Sequence, residues 1–196
     1  MMMIKLPLTL LLIAVFSGAC SGPAQRHSKI PPTDPIARIS AGQLRVKGLA
    51  FARRGDLTRA QQYLSAAKLK GFDERIVVPE IVKVCIAASR LRAALAHAEP
   101  YLQRHPDDAG LAYVAGTIEL ALGRVVEARR HLRGALHSEP AMVDAAFSLA
   151  KIAKDEGDSD MARQHLQHYL EHKPAGRYAT RAKRLLAALD LPGVRR

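Results

Sequence analysis

Between Ala109 and Met142, apolar side chains return every three or four residues on either side of Gly123, and Pro140 closes the stretch. That spacing keeps the apolar positions on one side of an α-helix and predicts two amphipathic helices joined at a glycine. The pattern recurs with a step of 34 residues. Pro106, Pro140 and Pro174 fall on it, with Phe72 one step earlier. Ala60, Ala94, Ala128 and Ala162 keep the step, as do Leu64, Leu132 and Leu166, with Ala98 in the second unit. Gly55, Gly123 and Gly157 occupy the inner turn, where the second unit carries Ser89.

The register divides the chain into units at 41–74, 75–108, 109–142 and 143–176. The alanines let paired helix backbones approach closely. Gly48 and Gly116, with Ala150 in the last unit, serve the same end on the first helices, and Val82 is the bulky exception. In the second unit Pro79 is expected in the first turn of its helix, where proline is tolerated. Pro100 falls within a helix interior and is expected to bend or interrupt it. A final helix is expected over 177–190, with Tyr178, Ala182, Leu185, Leu186 and Leu189 on one face and Arg177, Arg181, Lys183 and Arg184 largely off it. Leu191-Pro192-Gly193 stops it, leaving a tail at 191–196.

This register resembles the tetratricopeptide repeat (TPR) family, whose unit is a 34-residue helix–turn–helix. The resemblance implies an all-α fold, a solenoid of about four TPR units with a C-terminal capping helix. One hairpin cannot bury its own apolar face, but a stack can. By the same resemblance the first helix of each unit lines a concave groove that takes a protein or peptide. Its outward positions here are Arg45, Leu49, Arg53, Lys83, Ile86, Tyr113, Thr117, Leu120, Phe147, Lys151 and Lys154. This mixture of cations with Leu, Tyr and Phe suits a partner carrying acidic and apolar residues. Tyr113 and Phe147 have an alternative use as packing between helices. Some TPR proteins clamp a chaperone tail with lysine and asparagine. Arg45 could stand for the lysine, but Leu49 departs from the asparagine, so that specificity is not carried over.

The amino terminus has a different character. Lys5 precedes an apolar run from Leu6 to Phe16, too short to span a bilayer as a mature helix, followed by Ser17, Gly18, Ala19 and Cys20. Residues 1–19 read as an export signal, and the junction resembles the lipobox of bacterial lipoproteins, with Ser17 in place of the usual leucine. The resemblance implies that Cys20 becomes a lipidated N-terminus, and Ser21, not being aspartate, implies an outer-membrane lipoprotein facing the periplasm. Ordinary cleavage to a soluble periplasmic protein is the alternative. Residues 20–40 carry Pro23, Pro31, Pro32 and Pro35 among polar residues and read as a lipid-anchored tether. Its reach is up to about 60 Å at about 3.1 Å per residue.

Composition narrows the partners. The 196 residues are 48% hydrophobic but only 5% aromatic, without tryptophan, so the core must rest on Ala and Leu. Thirty Lys and Arg against 18 Asp and Glu give a net charge of +12, which favours anionic partners. The run Arg129, Arg130, His131, Arg133 reads as a solvated face. Nucleic-acid binding would need aromatic platforms or a reading helix, and none is visible.

No nucleophile set, phosphate loop or HExxH motif appears, so an enzyme is not expected. Cys85 lies among Ile81, Val82, Val84 and Ala88 and reads as a buried thiol. A disulfide with Cys20 is open in an oxidising compartment but would defeat lipidation. His165, His168 and His172 share one helix side with Glu171, a spacing at which imidazoles can share a metal. That side lies opposite Ala162, Leu166, Tyr169 and Leu170 and is expected to face water. The reading carried forward therefore has no metal or cofactor. It is an envelope scaffold or adaptor, in the manner of lipoproteins that assist assembly of a pilus or secretion complex. Its rival is a periplasmic metal-binding or enzyme-accessory protein that uses the histidine set.

Overall fold

The computed structural model describes residues 38–190, all of whose regular structure is helical. Four hairpins follow one another: α1 (Ala41–Arg53) with α2 (Leu57–Leu69), α3 (Glu74–Ala87) with α4 (Leu91–Arg104), α5 (Ala109–Ala121) with α6 (Val125–Ser138), and α7 (Val143–Asp155) with α8 (Ser159–His172). A last helix, α9 (Ala179–Leu189), packs on α8. The second helices begin at residues 57, 91, 125 and 159, so each hairpin repeats the same step. Each hairpin packs on the next through the contact of its second helix with the following first helix. Cys20, the rest of the expected signal and tether to residue 37, and the tail at 191–196 lie outside the described residues.

Small residues set the hairpin spacing. A Cβ on Gly48 would lie 2.8 Å from Leu64 Cγ, and one on Gly116 would lie 2.7 Å from Leu132 Cγ and 3.2 Å from the Ala128 carbonyl oxygen. The repeated alanines Ala60, Ala94, Ala128 and Ala162 are fully buried at the same contacts. The inner turns need a left-handed residue. Gly55, Gly123 and Gly157 take φ of 79°, 75° and 81°, and Ser89 is forced to φ 57° in the second hairpin, a conformation that costs a residue with a Cβ about 1–2 kcal/mol.

Helix starts follow capping chemistry. Ser40 and Gln43 form a reciprocal capping box at α1. Asp56, Asp73, Asp108 and Asp158 accept backbone N–H bonds at α2, α3, α5 and α8. At the corresponding positions of α4 and α6 stand Arg90 and Arg124, with no side-chain cap. These arginines reach back to the preceding hairpin instead. Arg90 donates to Thr58 Oγ1 at 2.7 Å and Gln61 Oε1 at 2.9 Å, and Arg124 to Glu99 Oε1 at 3.1 Å.

Three expectations are corrected. Helix α4 continues through Pro100, so the proline does not interrupt it. Pro100 and Ala96 are both exposed, so water can satisfy the Ala96 carbonyl that proline leaves without a donor. Pro79 lies beyond the first turn, because Asp73 caps α3 early and starts it at Glu74. The last helix starts at Ala179 rather than 177, because Gly176, Arg177 and Tyr178 form a connection that folds against the preceding hairpins. At the other end, Ile39 packs on the core and its carbonyl accepts from Lys70 Nζ at 2.7 Å.

Candidate binding groove

The first helices share a row of recesses. Leu49, Ala52 and Arg53 of α1 face Glu80, Lys83 and Ala87 of α3 across the first. Pro79, Val82, Lys83 and Ile86 of α3 face Gly110, Leu111 and Val114 of α5 across the second. The third lies among Tyr113, Thr117 and Leu120 of α5, Phe147, Ser148 and Lys151 of α7, Tyr178 and Arg181. The first two have largely apolar walls, and cations stand at the edges: Arg53, Lys83 and Arg181 are exposed and Lys151 is half-buried. Ile86 presents an exposed branched side chain at the second recess.

Nine of the eleven residues expected at the groove line these recesses: Leu49, Arg53, Lys83, Ile86, Tyr113, Thr117, Leu120, Phe147 and Lys151. Arg45 and Lys154 do not. Arg45 is bound in a two-pronged pair with Glu80, Nη2 to Oε1 at 2.5 Å and Nε to Oε2 at 2.9 Å, with its guanidinium over the Phe72 ring. Lys154 stands beside Asp155, with 3.9 Å between Nζ and Oδ1.

Phe147 corrects another expectation. It is 3% exposed and stacks face to face on Tyr178, with centroids 4.4 Å apart, and against Tyr169 at 5.6 Å. It anchors the α7–α8–α9 core and offers little surface to a ligand. Tyr113 is half-buried, and burial beside Tyr178 raises its hydroxyl pKa to about 12, so it remains a neutral hydrogen-bonding group.

Sequence reasoning missed the groove's closed end. The carboxylate of Asp144, mostly buried, faces Arg177 Nη2 at 3.2 Å and Lys173 Nζ at 3.5 Å, and Arg177 also donates to Tyr113 Oη at 3.0 Å. Tyr169 Oη accepts the Tyr178 backbone N–H at 3.0 Å. The apolar face assigned to Tyr178 was the available signal, but nothing in the repeat register places Arg177 beside Tyr113.

Between α5 and α6, Glu119 is fully buried, with Oε2 2.8 Å from His131 Nδ1. The basic run is thus partly engaged, since Arg129 pairs with Glu156. Cys85 is a free, fully buried thiol whose pKa burial pushes up. Of the three histidines, His168 and His172 come together with Glu171, while His165 stays outside that set. His165 is half-buried, and burial with the nearby charge of Arg133 lowers its pKa.

The architecture is that of a TPR-type helical-repeat scaffold. Residues 119–189 match the tetratricopeptide repeat family model. No curated protein sequence matches the chain. Among solved structures, a MamA protein superimposes with a TM-score of 0.70 at 16% identity, over 79% of this chain and 84% of that one. A tetratricopeptide repeat protein from Parabacteroides merdae ATCC 43184 gives 0.69 at 18% identity, over 76% of this chain and 59% of its own. YrrB, described as a TPR protein with an unusual peptide-binding site, gives 0.65 at 16% identity, over 77% and 76%. At these identities the likeness is one of fold. The matches indicate no enzymatic family. No helix among the described residues is long and apolar enough to cross a membrane.

Proposed function

We propose that the protein is an envelope adaptor whose row of first-helix recesses holds a segment of a partner protein. The observation that carries this reading is the row of three recesses, the first two with largely apolar walls, each with cations at its edge. Apolar side chains of an extended or helical segment would seat in the recesses. Its acidic residues would meet Arg53, Lys83, Lys151 and Arg181. The peptide-binding site named for YrrB, a protein of similar fold, supports the same use.

In this reading Cys20 is lipidated, residues 20–40 tether the repeats to the outer membrane on its periplasmic side, and the partner belongs to an envelope assembly such as a pilus or secretion complex. The apolar run followed by Ser17, Gly18, Ala19 and Cys20 supports the anchor. Cys20→Ala should move the protein from the membrane pellet to the soluble fraction, and unchanged pelleting counts against the lipid. Photo-crosslinkers placed at Lys83, Thr117 and, as an outer-helix control, Arg130 test the groove in intact cells. A partner captured from Lys83 and Thr117 but not Arg130 supports it. Capture from Arg130 alone overturns it.

A further inference from the structure

The end of α8 brings together three side chains of the kinds that ligate transition metals. His168, Glu171 and His172 each offer an atom, and the three atoms lie within 4.8 Å of one another. They occupy positions i, i+3 and i+4 of one helix, so a single turn presents all three on one side. The two imidazole rings are 4.4 Å apart and tilted by 50°.

Hydrogen bonding prepares the rings. His172 Nδ1 lies 2.9 Å from the His168 carbonyl oxygen, an acceptor only, so Nδ1 carries the proton and Nε2 is left with its lone pair. This is the outer contact that commonly orients a metal-bound imidazole. His168 Nε2 is buried and has no hydrogen-bond partner, so that ring nitrogen is not committed to any other group among the described residues. The cation next in sequence, Lys173, is drawn 3.5 Å from Asp144 Oδ2.

We infer that His168, Glu171 and His172 form a binding site for a borderline divalent ion of the zinc class, with water completing the coordination. A two-nitrogen, one-oxygen set suits zinc, nickel or copper better than calcium or magnesium. Two ligands about 2.1 Å from one ion lie at most about 4.2 Å apart, so the side chains close in by a small χ adjustment. His165, on the same helix side by spacing, is not a ligand. The site is independent of the groove, and a metal here would clamp the last turn of α8 ahead of the connection that carries Arg177.

Titration of the untagged full chain with zinc chloride, followed by calorimetry, tests this. The expected result is one saturable equivalent that weakens by at least about tenfold in His168→Ala and in His172→Ala, since loss of even a group that only supports a ligand costs about that much. His165→Ala should leave the affinity unchanged, and circular dichroism of each variant should show unaltered helix. Absence of a saturable equivalent overturns the site, as does uptake that survives both His168→Ala and His172→Ala, or uptake lost in His165→Ala.

Discussion

Arg177 donates through Nη2 to the hydroxyl of Tyr113 at 3.0 Å, joining residues 64 apart in sequence. The bond ties the connection after the fourth hairpin to the first helix of the third, a reach beyond the neighbouring helix. Arg177→Ala and Tyr113→Phe should each lower stability by about 0.5–1.5 kcal/mol. The double variant should cost less than their sum, because one interaction is removed twice. Additive losses in urea denaturation would show that the bond contributes nothing.

Ser89 occupies the turn position that glycine holds in the other hairpins, at φ 57°. Ser89→Gly should stabilise the chain by about 1 kcal/mol by relieving the left-handed strain. For a domain of this size that raises Tm by about 2–4 °C. A lower Tm would mean that the serine side chain offsets its backbone cost.

Glycine-to-alanine changes should have opposite signs at two sites. Gly134 sits in α6 with nothing within 4 Å of an added Cβ, so Gly134→Ala should stabilise by up to about 1 kcal/mol through helix propensity. Gly116 meets Leu132 Cγ at 2.7 Å, so Gly116→Ala should destabilise by about 1–3 kcal/mol as Leu132 is displaced. Calorimetric Tm values of the two variants on either side of the wild type would bear this out.

Phe147 and the groove cations should separate stability from binding. Phe147→Ala opens a cavity beside Tyr169 and Tyr178 and should cost about 3–5 kcal/mol, so weakened binding by that variant reports unfolding. Lys83→Glu with Lys151→Glu should keep Tm within about 1 °C. It should slow partner association most at low salt. Stopped-flow rates independent of salt would remove the cations from the encounter.

Glu74 gives the fold an acid-sensitive contact. Hydrogen bonds from Arg104 and then His105 lower its carboxyl pKa from 4.5 to about 2. A depressed pKa means that the folded state holds the charged form more strongly. The contribution is therefore complete above about pH 4.5 and is lost as the pH falls toward about 2. Glu74→Gln should flatten the fall of Tm across that window, measured by calorimetry from pH 5 to pH 2. An unchanged slope would assign the acid limb to other carboxylates.

Features carried by local spacing were legible before the structure. The repeat step, the inner turns, the close approach at Gly48 and Gly116 and the buried Cys85 follow from periodicity, turn chemistry and side-chain volume. Pro100 does not interrupt α4, because the Ala96 carbonyl that it leaves without a donor lies on an exposed residue that water reaches. Phe147 misled because a helix wheel gives a direction but not what stands there, and Tyr178 arrives from outside the repeat. Arg45 looked free for a ligand, whereas Glu80, on the next first helix, neutralises it. His165 shares the helix side of His168 and His172, yet its ring atoms fall outside the set that those two form with Glu171.

The exchange of aspartate for arginine at the heads of α4 and α6 bears on how the stack comes apart. In a linear array each unit has an intrinsic free energy and a coupling to its neighbour. Asp56 and Asp158 add to the intrinsic part of the end units, whereas Arg90 and Arg124 give up that local gain and add to the couplings on their amino-terminal sides. Weak units joined by strong couplings melt together, so the middle of the array should cross its transition in one step and resist opening one hairpin at a time. Arg90→Asp with Arg124→Asp should reverse the balance, broadening the urea transition and lowering its apparent m-value even where the midpoint barely moves.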